Sequence, residues 1–153
     1  MHRNPVRPSR WQRQWLLAAS LLLAATGVAW LALHYGAGSD GLPHPAEGWL
    51  MRLHGAGAFA ALFGAGLMAG HHIPAGWRLT QRPRHAGQRR SGLWLCVTGG
   101  VVIATGYALY YFAPEGLRPA LGWLHSGAAA LLLLAGAWHA RQHAGLRPYR
   151  PKP

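Results

Sequence analysis

Four stretches of this chain, about Trp15 to Tyr35, Leu50 to Ile73, Gly92 to Ala113 and Leu121 to Ala140, are built almost wholly from apolar and small residues. Each is roughly 20 residues long, the length a helix needs to cross ~30 Å of hydrocarbon at ~1.5 Å per residue. Arg52, at an edge, is the one Lys or Arg inside them, and they hold no Asp or Glu. The pattern predicts an all-α integral membrane protein, a four-helix bundle forming one four-span domain over residues 1–153. The first stretch follows an Arg-rich segment as a signal peptide would. Its apolar core exceeds the usual 7–15 residues, and "LALHYG" offers no clear small-x-small cleavage site. A retained first helix is the expectation.

The formal net charge is +12, which on a soluble domain would suggest nucleic acid. Its distribution argues for orientation instead. Arg3, Arg7, Arg10 and Arg13 precede the first span; Arg78, Arg82, Arg84, Arg89 and Arg90 lie between the second and third. Arg141, Arg147, Arg150 and Lys152 follow the fourth. In a four-span chain these segments share one side. The other side has Arg52 and Arg118, with all three acids, Asp40, Glu47 and Glu115. Such asymmetry places both termini and the middle connection in the cytoplasm. The basic segments can also touch anionic lipid.

Tryptophans fall at the span edges, Trp30, Trp49 and Trp123 on the outer side and Trp11, Trp15, Trp77, Trp94 and Trp138 on the inner. There an indole keeps its ring in lipid and its N–H near water. The single cysteine, Cys96, reads as a packing residue of the third span. Residues 36–48 and 114–120 read as short outer loops, and residues 74–91 as the inner loop, with Pro74 stopping the second helix. Loops this short leave no room for an extramembrane domain.

Histidine inside the spans carries the functional signal. "WLMRLHGAGA" opens the second helix and "GWLHSGAAA" the fourth. Both helices run inward, so His54 and His125 lie at matching depth, and the same alignment sets Met68 against His139. His125 and His139 are fourteen apart, on one face to within ~40° and ~21 Å apart along the axis. Position 72 returns to the face of His54, whereas position 71 is ~100° away. Gly57, Ala58, Ala61, Ala65 and Met68 accompany His54; Ala128, Ala129, Leu132 and Gly136 accompany His125. Small-residue stripes either close helix–helix contacts or line a groove for a flat macrocycle ligated from facing helices. An imidazole in lipid needs a partner. Iron held axially between His54 and His125 provides one; a backbone carbonyl or interfacial water provides another.

These residues resemble the b-type cytochrome membrane subunits of bacterial formate dehydrogenases and hydrogenases, and their small relatives. The resemblance rests on His125 and His139 fourteen apart on the last helix, on His54 near the outer end of the second, and on "RRSGLWLCVTGGVVIATGYALYY" with its basic start and Thr-Gly pairs. It spans roughly residues 49–143. It implies four helices holding one or two haems b, with His54 and His125 as ligands of an outer haem. An inner haem would pair His139 with His72, His71 or Met68. Here the chain departs from the family, whose inner ligand on the first helix is a histidine; "RWQRQWLL" has none, and His2 lies outside the span.

Other readings stay open. His139 and His143, four apart, have a metal-binding spacing, and with His71 and His72 they keep a copper- or zinc-handling protein in view. His34, His44 and His85 read as solvated loop residues. Arg52, ~160° from His54, reads as snorkelling outward, and Arg118 as an interface anchor. The expected function is electron transfer, as a subunit of an oxidoreductase and not an enzyme alone. Expected partners are the lipid bilayer, a quinone and a redox partner subunit or second copy, with no nucleic acid. The alternative is a cofactor-free membrane scaffold.

Overall fold

The computed structural model describes residues 8–36, 43–81 and 85–144, the side chains of 143 and 144 excepted. His2, Arg3, Arg7, Asp40, Arg82, Arg84, Arg147, Arg150, Lys152 and the side chain of His143 lie outside the described residues. The protein is all-α, and four helical runs are long and apolar enough to cross a membrane. The helices are α1 (Arg10–Gly36), α2 (Pro45–Leu67), α3 (Ile73–Leu79), α4 (Ala86–Tyr111) and α5 (Arg118–Ala144), with a π-helical turn Met68–His72 joining α2 to α3. They fall into two compact units, Met1–Ala75 and Gly76–Pro153, each built on one antiparallel hairpin.

The spans are longer than the apolar stretches because polar caps extend them. Ser9 and Gln12 form a reciprocal capping box at α1: the Ser9 N–H donates to Gln12 Oε1 (2.8 Å), and the Gln12 N–H to Ser9 Oγ (3.3 Å). His44 and Glu47 do the same for α2, with Pro45 in the first turn. That box starts the second span at Pro45, ahead of the expected Leu50. The fourth span likewise starts at Arg118, after the Leu117 and Arg118 N–H groups fold back onto the Pro114 carbonyl.

Pro74, expected to stop the second helix, does not. A proline lacks an N–H and its ring crowds the carbonyl four residues back. Just before it the backbone widens, and the Ile73 N–H reaches five residues back to the Met68 carbonyl. The helical run continues to Leu79. A π turn advances each residue by less than the ~100° of an α-helix. The phase count that aligned His72 with His54 therefore fails across Met68–His72.

Both hairpins close on small residues. A Cβ at Gly57 would meet Leu23 at 3.2 Å, and one at Gly64 would meet Leu16 at 2.6 Å. In the second hairpin Gly92, Gly99 and Gly106 of α4 face His139, Leu132 and His125 of α5, and Gly136 faces Leu95. The stripes beside His54 and His125 thus include helix–helix contact within each hairpin. Large apolar side chains cover the outer surfaces, Phe59 at 78% exposure among them, as hydrocarbon requires. Cys96 lies among these exposed residues of α4.

Candidate functional site

On α4 the buried residues are Ser91, Thr98 and Thr105, seven apart, and each is followed by glycine. A seven-residue repeat keeps one seam of a helix against an antiparallel neighbour. The facing positions on α5 are His139, Leu132 and His125, also seven apart. At two of the three levels a hydroxyl meets an imidazole. Thr105 Oγ1 lies 3.0 Å from His125 Nδ1, and Ser91 Oγ lies 2.8 Å from His139 Nδ1. The neighbouring glycine receives the ring edge: a Cβ at Gly106 would stand 3.1 Å from His125 Cε1, and one at Gly92 3.8 Å from His139 Cε1. At the middle level Leu132 lies over Gly99 at 3.8 Å.

The first hairpin carries the same device once. Thr26, buried on α1, has its Oγ1 2.9 Å from His54 Nδ1 on α2, and the His54 Cε1 lies 3.4 Å from the Cβ position of Gly27. The equivalence extends to sequence: Ala25-Thr26-Gly27 in α1 matches Ala104-Thr105-Gly106 in α4. Fourteen residues before Thr26, where Ser91 would align, stands Gln12; fourteen after His54, where His139 would align, stands Met68. The described residues therefore hold three hydroxyl–glycine notches filled by histidine. The sequence reading found the histidines of each but not the hydroxyls that hold them. The repeated Ala-Thr-Gly tripeptide was the available signal.

Each hydroxyl also bonds the main chain. Thr26 Oγ1 donates to the Leu22 carbonyl at 2.7 Å, and Thr105 Oγ1 to the Val101 carbonyl at 2.7 Å. Ser91 differs. It is fully buried, 0% exposed, and its Oγ lies 3.1 Å from the Gln88 carbonyl and 3.3 Å from Gln142 Oε1. No buried side-chain N or O among the described residues lacks a hydrogen-bond partner, as a membrane interior demands.

The other expected ligands stand apart from these notches. His71 is exposed, and His72 and Met68 are half-buried, all in the π turn. Among the described residues no group of three or more His, Cys, Asp or Glu is placed to hold a metal ion.

His34, His44 and Glu47 do more than solvate the connection between α1 and α2. His34 Nδ1 pairs with Glu47 Oε2 at 3.0 Å and stacks on Trp30 at 4.3 Å between centroids. Glu47 Oε1 accepts the His44 N–H at 3.0 Å, and His44 Nδ1 accepts from the Ala46 N–H at 3.1 Å. Together they tie the end of α1 to the start of α2. His85 bonds Gln88 Oε1 through Nδ1 at 2.9 Å. Arg52 lies over the Trp49 ring, 4.7 Å from its centroid, and Arg118 caps the Ala113 carbonyl at 3.2 Å. The Trp15 indole donates to the Ala60 carbonyl at 2.8 Å, a cross-helix tie within the hairpin.

Comparison with protein-family models, with curated proteins and with solved structures finds no match to this chain.

Proposed function

We propose that the protein is a membrane electron-transfer protein that would hold haem b through His54 and His125. One observation carries this reading: each hairpin holds one intramembrane histidine by Nδ1 in the same threonine–glycine notch. A metal-ligating histidine ordinarily bonds a second group through its other ring nitrogen, which fixes the ring and raises its basicity. With Nδ1 anchored, Nε2 is the nitrogen that would ligate the iron. Haem iron, when bound, supplies reversible one-electron transfer. The chain's part is to fix two imidazoles, keep their hydroxyl partners satisfied and exclude water behind apolar surfaces. A quinone and a redox partner subunit or second copy would supply or take the electrons.

His139, in the serine notch, is the candidate for a second haem, with His72, His71 or Met68 opposite. The charge asymmetry supports cytoplasmic termini, and the resemblance to bacterial cytochrome subunits supports a bacterial inner membrane. The scaffold reading draws on the small-residue contacts within both hairpins. Dithionite reduction of protein purified from haem-replete cells separates the two. Sharp Soret and alpha bands, with a pyridine haemochrome count of one or two per chain, are the expected result. A colourless, iron-free protein overturns the haem reading and leaves the scaffold.

A further inference from the structure

Which ring nitrogen of a neutral histidine carries the proton is decided by what its neighbours can donate. A threonine hydroxyl has one proton. In Thr26 and Thr105 that proton is directed to the carbonyl four residues back, at 2.7 Å in each case. A second acceptor carbonyl lies at 3.2 Å in both, Leu23 for Thr26 and Val102 for Thr105. The proton is therefore committed to the main chain, and the hydroxyl oxygen can only accept from the imidazole at 2.9 and 3.0 Å.

Ser91 is built otherwise. Its nearest partner is His139 Nδ1 at 2.8 Å, closer than the Gln88 carbonyl at 3.1 Å or Gln142 Oε1 at 3.3 Å. Its single proton has three acceptors within reach, and none holds it as tightly as the carbonyls hold the threonines.

We propose that Thr26 and Thr105 are positioning residues that lock His54 and His125 as Nδ1–H tautomers with the lone pair on Nε2, whereas Ser91 lets His139 exchange its ring proton between nitrogens. The proton placement stands on the hairpins alone. Its consequence for bound iron rests on the haem reading above. An imidazole that donates firmly from Nδ1 is a stronger Nε2 ligand, so the threonines hold the reduction potential down.

The test is histidine-selective ¹⁵N NMR of the haem-free full chain in nanodiscs, at a pH where the rings are neutral. Signals are assigned by their loss in His54→Gln, His125→Gln and His139→Gln. His54 and His125 are expected as Nδ1–H tautomers and His139 as a mixture. Thr26→Val and Thr105→Val, which remove the hydroxyl acceptor at nearly constant volume, should shift each ring toward the Nε2–H form; Thr26→Ser and Thr105→Ser should keep Nδ1–H. An Nε2–H tautomer at His54 or His125 in the unaltered chain overturns the proposal, as does a tautomer that ignores the valine changes. In haem-loaded protein the valine variants should raise the midpoint potential and the serine variants restore it. A chain that never takes up haem yet shows locked tautomers would sink the functional reading and leave the proton placement standing.

Discussion

Gly106→Ala and Gly27→Ala place the same methyl group in two equivalent notches, and the structure separates their outcomes. At Gly27 the added Cβ would lie 3.4 Å from His54 Cε1, an ordinary contact. At Gly106 it would lie 3.1 Å from His125 Cε1, so the ring must retreat by a few tenths of an ångström. That ring cannot retreat without lengthening its 3.0 Å bond to Thr105. Both variants gain helix propensity, about 0.8–1 kcal/mol for glycine to alanine in a helix interior. Gly106→Ala alone adds overpacking, near the low end of about 1–3 kcal/mol, and weakens an interhelical hydrogen bond of the ~0.6 kcal/mol class measured in membranes.

The propensity gain is common to both and cancels in the comparison. Gly106→Ala should therefore be less stable than Gly27→Ala by about 1.5 kcal/mol, with Gly27→Ala equal to or above the unaltered chain. Reversible unfolding in mixed micelles, followed by tryptophan fluorescence, reads the difference directly. Equal stabilities, or a more stable Gly106→Ala, would show that the His125 ring is not pinned, and the notch argument would fail there.

Three further outcomes follow. Gly64→Val would put a branched side chain where a Cβ already comes within 2.6 Å of Leu16; it should destabilise the first hairpin by more than Gly48→Val, which meets nothing within 4 Å, in the same unfolding assay. Ser91→Ala removes a fully buried hydroxyl shared by His139 and Gln142, and should cost about 1–3 kcal/mol, while Thr98→Ala, whose hydroxyl serves only its own helix, costs less. Under the haem reading, His54→Ala or His125→Ala should each abolish the outer haem spectrum, and retention of the full spectrum in both would show the ligands to be misassigned.

The four spans were legible because bilayer thickness imposes a length on apolar sequence that no soluble fold shares. Their ends were not. Capping by Ser9 with Gln12 and by His44 with Glu47 depends on side chains folding back on the backbone, which hydropathy does not register. Nor did Pro74 announce that a π turn would carry the helix past it. The histidines stood out as costly residues in lipid. Their partners did not, because Thr26, Thr105 and Ser91 look like ordinary small residues until an antiparallel register sets them opposite a ring. That register was recoverable in principle. The fourteen residues from Ser91 to Thr105 equal the fourteen from His125 to His139, and such equality across a turn is what an antiparallel seven-residue seam requires.

Under the haem reading, the two kinds of notch also bear on which histidines would hold iron. A ligand that must be ordered as the cofactor binds costs about 0.5–1.5 kcal/mol for each immobilised side chain. His54 and His125 are already held along the Nδ1–Cε1 edge of the ring, Nδ1 by a hydroxyl and Cε1 against a glycine, within helices of their own hairpins. His139 has the hydroxyl but a looser fit, 3.8 Å from the Cβ position of Gly92 against 3.1 Å at Gly106. Its counterpart position in the first hairpin is Met68, at the start of a π turn, where no notch repeats. Under the haem reading, preorganisation within each hairpin favours His54 and His125 over His139 as the histidines that would hold iron. A haemochrome count of two per chain, with the second lost in His139→Ala, would show that ring anchoring does not decide where this chain binds iron.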